Sequence, residues 1–309
     1  MSEPQQHPSL PTSDQIAAMI SMLGDDHARL WQSARKRLLA WGEPAVEHLR
    51  AGAEVAHVPT RARCRSLLRT MELQQVLRQL DAIRPDLETG SSTTGLLNGA
   101  VLVARLVRTF VPSAASQTGR LRSAAAGLRK AAEGRSLPVQ ARLLAERMVD
   151  ELGLGGCGID LLERLQREVA GGASGQSVAG RRLTDRLLLD RVLQLQEGAP
   201  ISLSMLYLLV ARWAGMAASG VAMPDHFLVR VHGPRPLLLD PFNGGRVVTK
   251  SDCMRQLRRS GYKRPSDHLG DVSDRELLRR YADSVRSACR DVGAESGAAL
   301  DVALEQLSL

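Results

Sequence analysis

A histidine and an aspartate lie on either side of a predicted turn and together are suited to acid–base chemistry. Gly233-Pro234-Arg235 separates two apolar runs, which predicts a β-hairpin with residue 229 opposite residue 239. In this register His226 and Asp240 share one face as diagonal cross-strand neighbours, with Cβ atoms roughly 7–8 Å apart. A carboxylate at that range can orient an imidazole and favour its cation.

The start of the apolar segment that follows Gly198-Ala199-Pro200 is the place where a nucleophile for this pair could lie. This segment predicts a helix with little polar face, so the helix is expected to be buried. A group in its first turn lies at the positive end of the helix dipole, which favours a nucleophile or an oxyanion. Ser202 and Ser204 are the candidates there. The alternative is that a serine at this place simply caps the helix.

Aromatic residues are scarce, at 3% of the chain, and two of the three phenylalanines flank the histidine and the aspartate. Phe227 and Phe242 therefore indicate a walled pocket around the pair. The alternative is that Phe227 belongs to the core and Phe242 fills a turn. Elsewhere, Ala, Leu and Val must build the core.

The basic charge of the chain is uneven. The 309 residues include 41 Lys and Arg against 33 Asp and Glu, for a net charge of +8. Residues 91–150 carry nine basic and three acidic side chains, so most of the excess lies there. Phe110 is the one aromatic residue among these cations, and no recognition-helix pattern occurs there. We interpret this segment as a solvated or inter-domain face, with an anion- or nucleic-acid-binding adaptor as the weaker alternative.

The cysteines and the polar N-terminus favour a cytoplasmic protein, and we expect neither cofactor nor metal. The four cysteines are scattered, and no CxxC or Cys/His spacing fits a zinc site. The polar N-terminus is unlike a signal peptide. The most apolar runs are shorter than the roughly 20 residues of a membrane span, so no membrane attachment is expected.

Helical periodicity dominates the first two thirds of the chain, and β-type runs appear after Gly215. The pattern between Leu23 and Leu49 resembles one HEAT-type repeat. The predicted fold class is α+β, with a helical N-terminal region followed by a core that contains a small antiparallel sheet. The expected divisions are a disordered tail (1–12), a helical subdomain (13–90), a main domain (91–290) and a C-terminal tail or short helix (291–309).

Two motifs occur in order. The first is Gly-x-Pro-Ile-Ser-x-Ser-x-Leu-Tyr-x-x-x-Ala-Arg at 198–212, and the second joins Pro-x-His-Phe-Leu-Val-Arg at 224–230 to Asp-Pro-Phe-Asn-Gly-Gly at 240–245. Together they resemble the bacterial SirB family, whose core is similar to the transglutaminase-like superfamily with papain-type topology. The resemblance implies such a core and the following cleft residues: Gly198, Pro200, Ser204, Tyr207, Pro224, Asp225, Phe227, Phe242 and Asn243.

The resemblance also implies what is missing. In active members of the superfamily a Cys opens the central helix, a His begins the next strand and an Asp ends the strand after it. His226 and Asp240 match the last two positions, but the Cys position falls near 200–202, where the chain has no Cys. We therefore expect a non-catalytic protein that binds a peptide or protein partner in the cleft around His226 and Asp240. The alternative is an amide hydrolase that uses Ser202, His226 and Asp240.

Overall fold

The computed structural model describes residues 10–55, 57–90, 93–172, 177–224, 226–289 and 294–308. By its internal contacts the chain forms two compact units, Met1–Val76 and Leu77–Leu309. The predicted α+β fold class is confirmed, because the second unit contains a five-stranded antiparallel sheet in addition to its helices. Within the described ranges, no helix is both long and apolar enough to cross a membrane.

The first unit is helical and has its own core. Its elements are α1 (Ser13–Met22), α2 (Ala28–Trp41), the 3₁₀ turn Glu43–Ala45, α3 (Val46–Gly52) and the first part of α4 (Val58–Thr89). Thr12 caps α1 by accepting the N–H of Gln15, whose side chain accepts the N–H of Thr12 in return. One apolar cluster forms the core: Ile16, Leu23, Ala34, Leu38, Ala45, Leu49, Ala53, Cys64 and Leu67. The HEAT-type repeat stays a prediction.

The second unit contains the end of α4, ten further α-helices and seven strands among the described residues. The helices are α5 (Thr93–Val107), α6 (Ala114–Ala132), α7 (Leu137–Glu146), α8 (Ile159–Ala170), α9 (Val178–Asp185), α10 (Leu189–Leu195), α11 (Pro200–Trp213), α12 (Lys250–Arg259), α13 (Asp274–Ala288) and α14 (Ala294–Ser308). The strands are β1 (Gly155–Gly156), β2 (Glu197–Gly198), β3 (Ala218–Met223), β4 (His226–Val231), β5 (Leu237–Asp240), β6 (Arg246–Val248) and β7 (Asp271–Val272).

The larger sheet has the strand order β6-β5-β4-β3-β7, and every neighbouring pair is antiparallel. In the hairpin of β4 and β5, Val229 pairs with Leu239, so the predicted register is confirmed. A slip by one residue would exchange the two faces of the hairpin and break its apolar side. Leu228 and Leu238 lie on the opposite face of the hairpin from Val229 and Leu239. There they join Cys253 of α12 in a second apolar cluster.

Helix α11 runs through the centre of the second unit. Every residue from Pro200 to Ala211 is buried. The helix packs against β4 and β3 of the sheet and against α5 and α6. Because this helix is buried, its polar side chains are stabilised by partners inside the protein, as Ser202 and Ser204 are.

Arg212, near the C-terminal end of α11, binds the carboxylate of Asp274 at the start of α13. The two Nη–Oδ distances are 2.6 and 2.9 Å, which makes the pair bidentate. The Nε of Arg212 also donates to the carbonyl oxygen of Ala218 on β3 at 3.0 Å. The Asp274 side chain is only 2% exposed. This ion pair therefore fixes α13 and β3 to the central helix.

Replacing Asp274 with Asn should destabilise the fold, because the largely buried Arg212 cation would lose its counter-ion. We expect the free energy of unfolding to fall by about 3 kcal/mol in urea denaturation. Asp283→Asn, on the exposed face of the same helix, is the matched control and should change stability by less than about 0.5 kcal/mol. Equal losses in the two variants would contradict a specific role of the ion pair.

Candidate functional site

His226 and Asp240 are in direct contact. The Nε2 of His226 and the Oδ1 of Asp240 are 2.9 Å apart. His226 opens β4 and Asp240 closes β5, as the hairpin register requires. The two side chains are 14% and 5% exposed, so the contact is shielded from water and its electrostatic part is strengthened. A role of this pair in catalysis stays a prediction.

The carboxylate of Asp240 has partners besides the histidine. It accepts the backbone N–H of Asn243 at 3.2 Å and the side-chain amide of Asn243 at 2.7 Å. Burial raises the pKa of Asp240, but the hydrogen bond and charge of His226 and the two bonds from Asn243 outweigh burial. The pKa therefore lies below its ordinary value of 3.8. Asp240 is charged at neutral pH and can fix the orientation of the imidazole.

Phe242 stands edge-on to His226, with the ring centroids 6.2 Å apart and the ring planes at 89°. It lies in the 3₁₀ turn Pro241–Asn243. Gly156 of β1 packs directly on this turn, because a Cβ there would come within 2.4 Å of the Phe242 carbonyl oxygen. The sequence indicates a glycine-rich turn around Gly156. It contains no pattern that relates this turn to Phe242, so the contact between them could not be predicted.

The two candidate nucleophiles contact backbone carbonyls instead of the histidine. Ser202 Oγ donates to the carbonyl oxygen of Leu187 at 2.7 Å, and Ser204 Oγ donates to that of Phe227 at 3.1 Å. Both serines are fully buried. A general base needs a hydrogen bond to the nucleophile, and among the described residues no hydroxyl or thiol makes one to His226. Ser202 as a nucleophile stays a prediction, and its hydrogen bond weighs against it.

Cys157 lies beside the start of α11 in space, although it is far from this helix in sequence. Its backbone N–H donates to the carbonyl oxygen of Gly198 at 3.4 Å. Burial raises the pKa of the Cys157 thiol, against the opposing effect of Arg186. A protonated thiol is a poor nucleophile. Burial also raises the thiol pKa of each other cysteine: Cys64, Cys253 and Cys289.

Tyr207 and two motif glycines, Gly245 and Gly198, are tightly packed. The Tyr207 hydroxyl is buried, has no hydrogen-bond partner among the described residues, and has its pKa raised by burial and by the charge of Asp240. Gly245 has a φ of +73°, and a Cβ there would lie 2.8 Å from that hydroxyl. A Cβ on Gly198 would lie 2.9 Å from the Val192 side chain. The glycines are therefore required by packing around the site.

A cavity of about 660 Å³ lies at the N-terminal end of α11. Pro200, Pro224 and Phe227 of the predicted cleft line it. Asp225 lies outside the described residues. The remaining predicted site residues are not in the described lining: Gly198, Ser202, Ser204, Tyr207, His226, Asp240, Phe242 and Asn243. The predicted cleft therefore separates into a cavity wall and a buried cluster around Asp240.

The other walls of the cavity come from α8, α9 and α13, which the sequence does not assign to the cleft. Their apolar lining side chains include Ile159, Leu162, Val169, Leu183 and Ala288. Polar side chains also contribute to the lining: Glu163, Gln166, Arg280, Asp283, Ser284 and Ser287. The cavity thus combines an apolar interior with polar groups on two helices.

A second Ser–His–Asp group lies on the sheet. Ser219 Oγ is 2.8 Å from His232 Nε2, and Asp271 Oδ2 is 3.6 Å from the same nitrogen. In a catalytic triad the serine and the carboxylate bind opposite ring nitrogens. Asp271 is also paired with Arg230 at 2.7 Å. This group therefore does not match a nucleophile–base arrangement.

Several cations of the 91–150 segment serve the protein's own fold. Arg108 binds the buried carboxylate of Asp190 at 2.6 Å. The Arg122 guanidinium lies 4.8 Å from the centre of the Trp213 ring, and Arg129 donates to the Trp213 carbonyl oxygen at 2.7 Å. Among the residues that the structure covers, no group of three His, Cys, Asp or Glu side chains is placed to hold a metal ion.

Comparison with known proteins supports the transglutaminase-like core. Residues 176–283 match the family model described as the transglutaminase-like superfamily. A UPF0162 protein from Xylella fastidiosa is 39% identical over 92 residues, which are 29% of this chain and 30% of that protein. A UPF0162 protein from Vibrio cholerae is 32% identical over 107 residues, 32% of this chain and 38% of that protein.

The chain therefore spans about a third of the length of these curated relatives in its matches. A UPF0162 protein from Pseudomonas aeruginosa gives the same picture, with 36% identity over 102 residues, 32% of this chain and 37% of that protein. No solved structure matches. The part that resembles other proteins contains the cavity wall at Pro200, the His226–Asp240 pair and most of α13.

Asp240→Asn should remove a pH-dependent part of the stability. A carboxylate whose pKa is lowered by folding stabilises the fold above its unfolded pKa, and this contribution disappears as the pH falls through the folded pKa. In urea denaturation, the native chain should exceed the variant in stability at about pH 6, and the difference should shrink as the pH falls below about 4. Gln256→Ala, at an exposed position without a titrating side chain, is the control and should give the same difference at every pH. A constant difference for Asp240→Asn would contradict the lowered pKa.

Gly156→Ala should displace the turn that carries Phe242, because the added methyl group would overlap a backbone oxygen. We expect a loss of about 1–3 kcal/mol in the free energy of unfolding and a shifted His226 ring resonance in NMR spectra. Gly155→Ala is the matched control, since a Cβ at Gly155 meets no atom within 4 Å. Similar effects of the two substitutions would show that the contact with Phe242 is not the cause.

Proposed function

We propose that this chain is a non-catalytic transglutaminase-like protein, related to the bacterial SirB family, that binds a peptide or protein partner in the cavity at the start of α11. One observation carries the proposal. The cavity and the His226–Asp240 pair are present, whereas the Ser202 hydroxyl is fully buried and donates to the Leu187 carbonyl oxygen. We also propose a cytoplasmic location, because the four cysteines are free and buried.

The cavity suits a peptide with an apolar side chain as its anchor. Its volume of about 660 Å³ lies within the range of ligand pockets, which are mostly apolar and carry a few placed polar groups. The apolar walls at Leu162 and Phe227 can bury such a side chain. Gln166 on α8 and Ser287 on α13 are exposed and can form hydrogen bonds with the peptide backbone.

Binding without reaction is proposed because, among the described residues, no hydroxyl or thiol is hydrogen-bonded to His226. Acyl transfer in this superfamily needs an activated thiolate or hydroxyl next to the imidazole. Ser202 is held on the Leu187 carbonyl oxygen, and the Cys157 thiol has a raised pKa. In this proposal the His226–Asp240 contact therefore holds the hairpin end and the Phe242 turn in place.

The hydrolase alternative keeps one supporting observation, which is the orientation of His226 by a charged carboxylate. For catalysis, the Ser202 hydroxyl would have to leave Leu187 and reach the imidazole. Because α11 is buried along this stretch, that change requires a movement of the helix start.

The proposal is tested with a phage-displayed library of random peptides selected on the immobilised full chain. A selected peptide should carry an apolar anchor residue, and fluorescence polarisation then gives its affinity. Ala170→Arg places a long side chain at an exposed position of the cavity lining. It should weaken binding at least about tenfold, which corresponds to about 1.4 kcal/mol.

Ala126→Arg, at an exposed position of α6 outside the cavity lining, is the matched control and should leave the affinity unchanged. Mass spectrometry should find the bound peptide intact after incubation. Cleavage of the peptide that is lost in both Ser202→Ala and His226→Ala would replace the binding proposal with the hydrolase. Equal binding by Ala170→Arg and the native chain would remove the cavity as the binding site.

A further inference from the structure

The exposed side of α12 and the loop that follows it form a strongly basic surface. Residues 250–264, here called the α12 basic surface, carry six cations and one carboxylate, Asp252. All six cations are exposed: Lys250, Arg255, Arg258, Arg259, Lys263 and Arg264. The sequence prediction placed the basic excess in 91–150 and did not identify this surface. The reason is that acidic residues elsewhere in the last half of the chain offset these cations when the net charge of that half is counted.

The three arginines of α12 lie on one side of the helix. Cys253 and Leu257 are buried and face the sheet cluster. With about 100° between successive residues, Arg255, Arg258 and Arg259 fall within about 100° of one another on the opposite side. Their positive groups are therefore presented together to the solvent.

These cations are largely without intramolecular partners. Arg255 lies 3.3 Å from Asp252, whose carboxylate also accepts the hydroxyl of Thr249. For Arg258, Arg259, Lys263 and Arg264, the described part of the chain contains no ion pair. The next acid along the chain, Asp267, accepts a hydrogen bond from Ser266. The cations of the α12 basic surface differ in this from Arg108 and Arg129 of the 91–150 segment. Those two arginines bind Asp190 and Trp213 and so contribute to the fold.

We propose that the α12 basic surface binds the phosphate backbone of a nucleic acid without reading its sequence. Guanidinium groups match phosphate geometry in a bidentate manner, and three of the six cations are arginines on one helix face. A nucleic acid strand offers a phosphate about every 3.4 Å of helix axis, so a surface of this size meets several phosphates in any register.

Two further features favour this occupant. No large apolar side chain is exposed between Lys250 and Arg264, whereas a helix that lies on a membrane needs an apolar face. The ring of Tyr262 packs edge-on against His268, with centroids 5.0 Å apart. Tyr262 is also half-buried against the apolar cluster under α12, so we assign the binding to phosphate contacts, which carry no sequence information.

The test is fluorescence anisotropy with short fluorescein-labelled DNA, as a single strand and as a duplex, titrated with the full chain. The affinity should fall steeply with salt, with a log–log slope of about −2 to −4. R258E/R259E should weaken binding at least tenfold and flatten the slope. R258Q/R259Q should give a smaller loss in the same direction and guards against an effect of the reversed charges on folding.

R120E/R135E is the matched control, because it makes the same change in net charge at two exposed cations of the 91–150 segment. It should change the affinity less than threefold. The proposal is overturned by a flat salt response, by equal losses in R258E/R259E and R120E/R135E, or by poly-L-glutamate competing as well as DNA of equal charge. The last result would indicate an acidic protein as the partner.

Discussion

The burial of α11 is the constraint on which the rest of the second unit depends. A polar side chain on a helix enclosed on every side is stabilised when it bonds to a neighbouring element. Ser202 binds the Leu187 carbonyl oxygen, Ser204 binds that of Phe227, and Arg212 binds Asp274. These bonds attach the segment before α10, the start of β4 and the start of α13 to the central helix. Both serine hydroxyls at the start of α11 therefore donate to neighbouring elements, and Ser202 as a nucleophile stays a prediction.

The His226–Asp240 pair is part of a larger set of contacts. Asp240 is shared between the imidazole and the turn at Asn243, and Phe242 of that turn contacts the imidazole ring. The pair thus joins the start of one strand to the end of the next and to the turn beyond it. Phe227, which follows His226 in the chain, lines the cavity. An arrangement typical of catalysis and a cavity therefore lie side by side, and among the described residues no nucleophile is hydrogen-bonded to His226.

Local patterns account for what could be predicted. The turn at Gly233-Pro234-Arg235 and the apolar alternation fixed the hairpin register and brought His226 near Asp240, and the apolar composition of α11 indicated its burial. The contact of Gly156 with Phe242 could not be predicted, because a two-residue strand has no periodicity and its partner is distant in sequence. The amphipathic pattern of α8 shows that one face is covered but not that this face lines a cavity. The direction of the Ser202 hydroxyl depends on where Leu187 is placed by the tertiary fold.

The short strand β7 has a consequence for how the sheet assembles. Strands β3 to β6 follow one another along the chain, whereas β7 pairs Val272 with Gly220 and arrives only after α12. Contacts between neighbouring segments form earlier than those that close long loops. Without β7, the backbone of β3 at Gly220 and Val221 would be an open sheet edge, and an open edge can pair with another chain. In the folded sheet, the two residues of β7 cover this part of the edge.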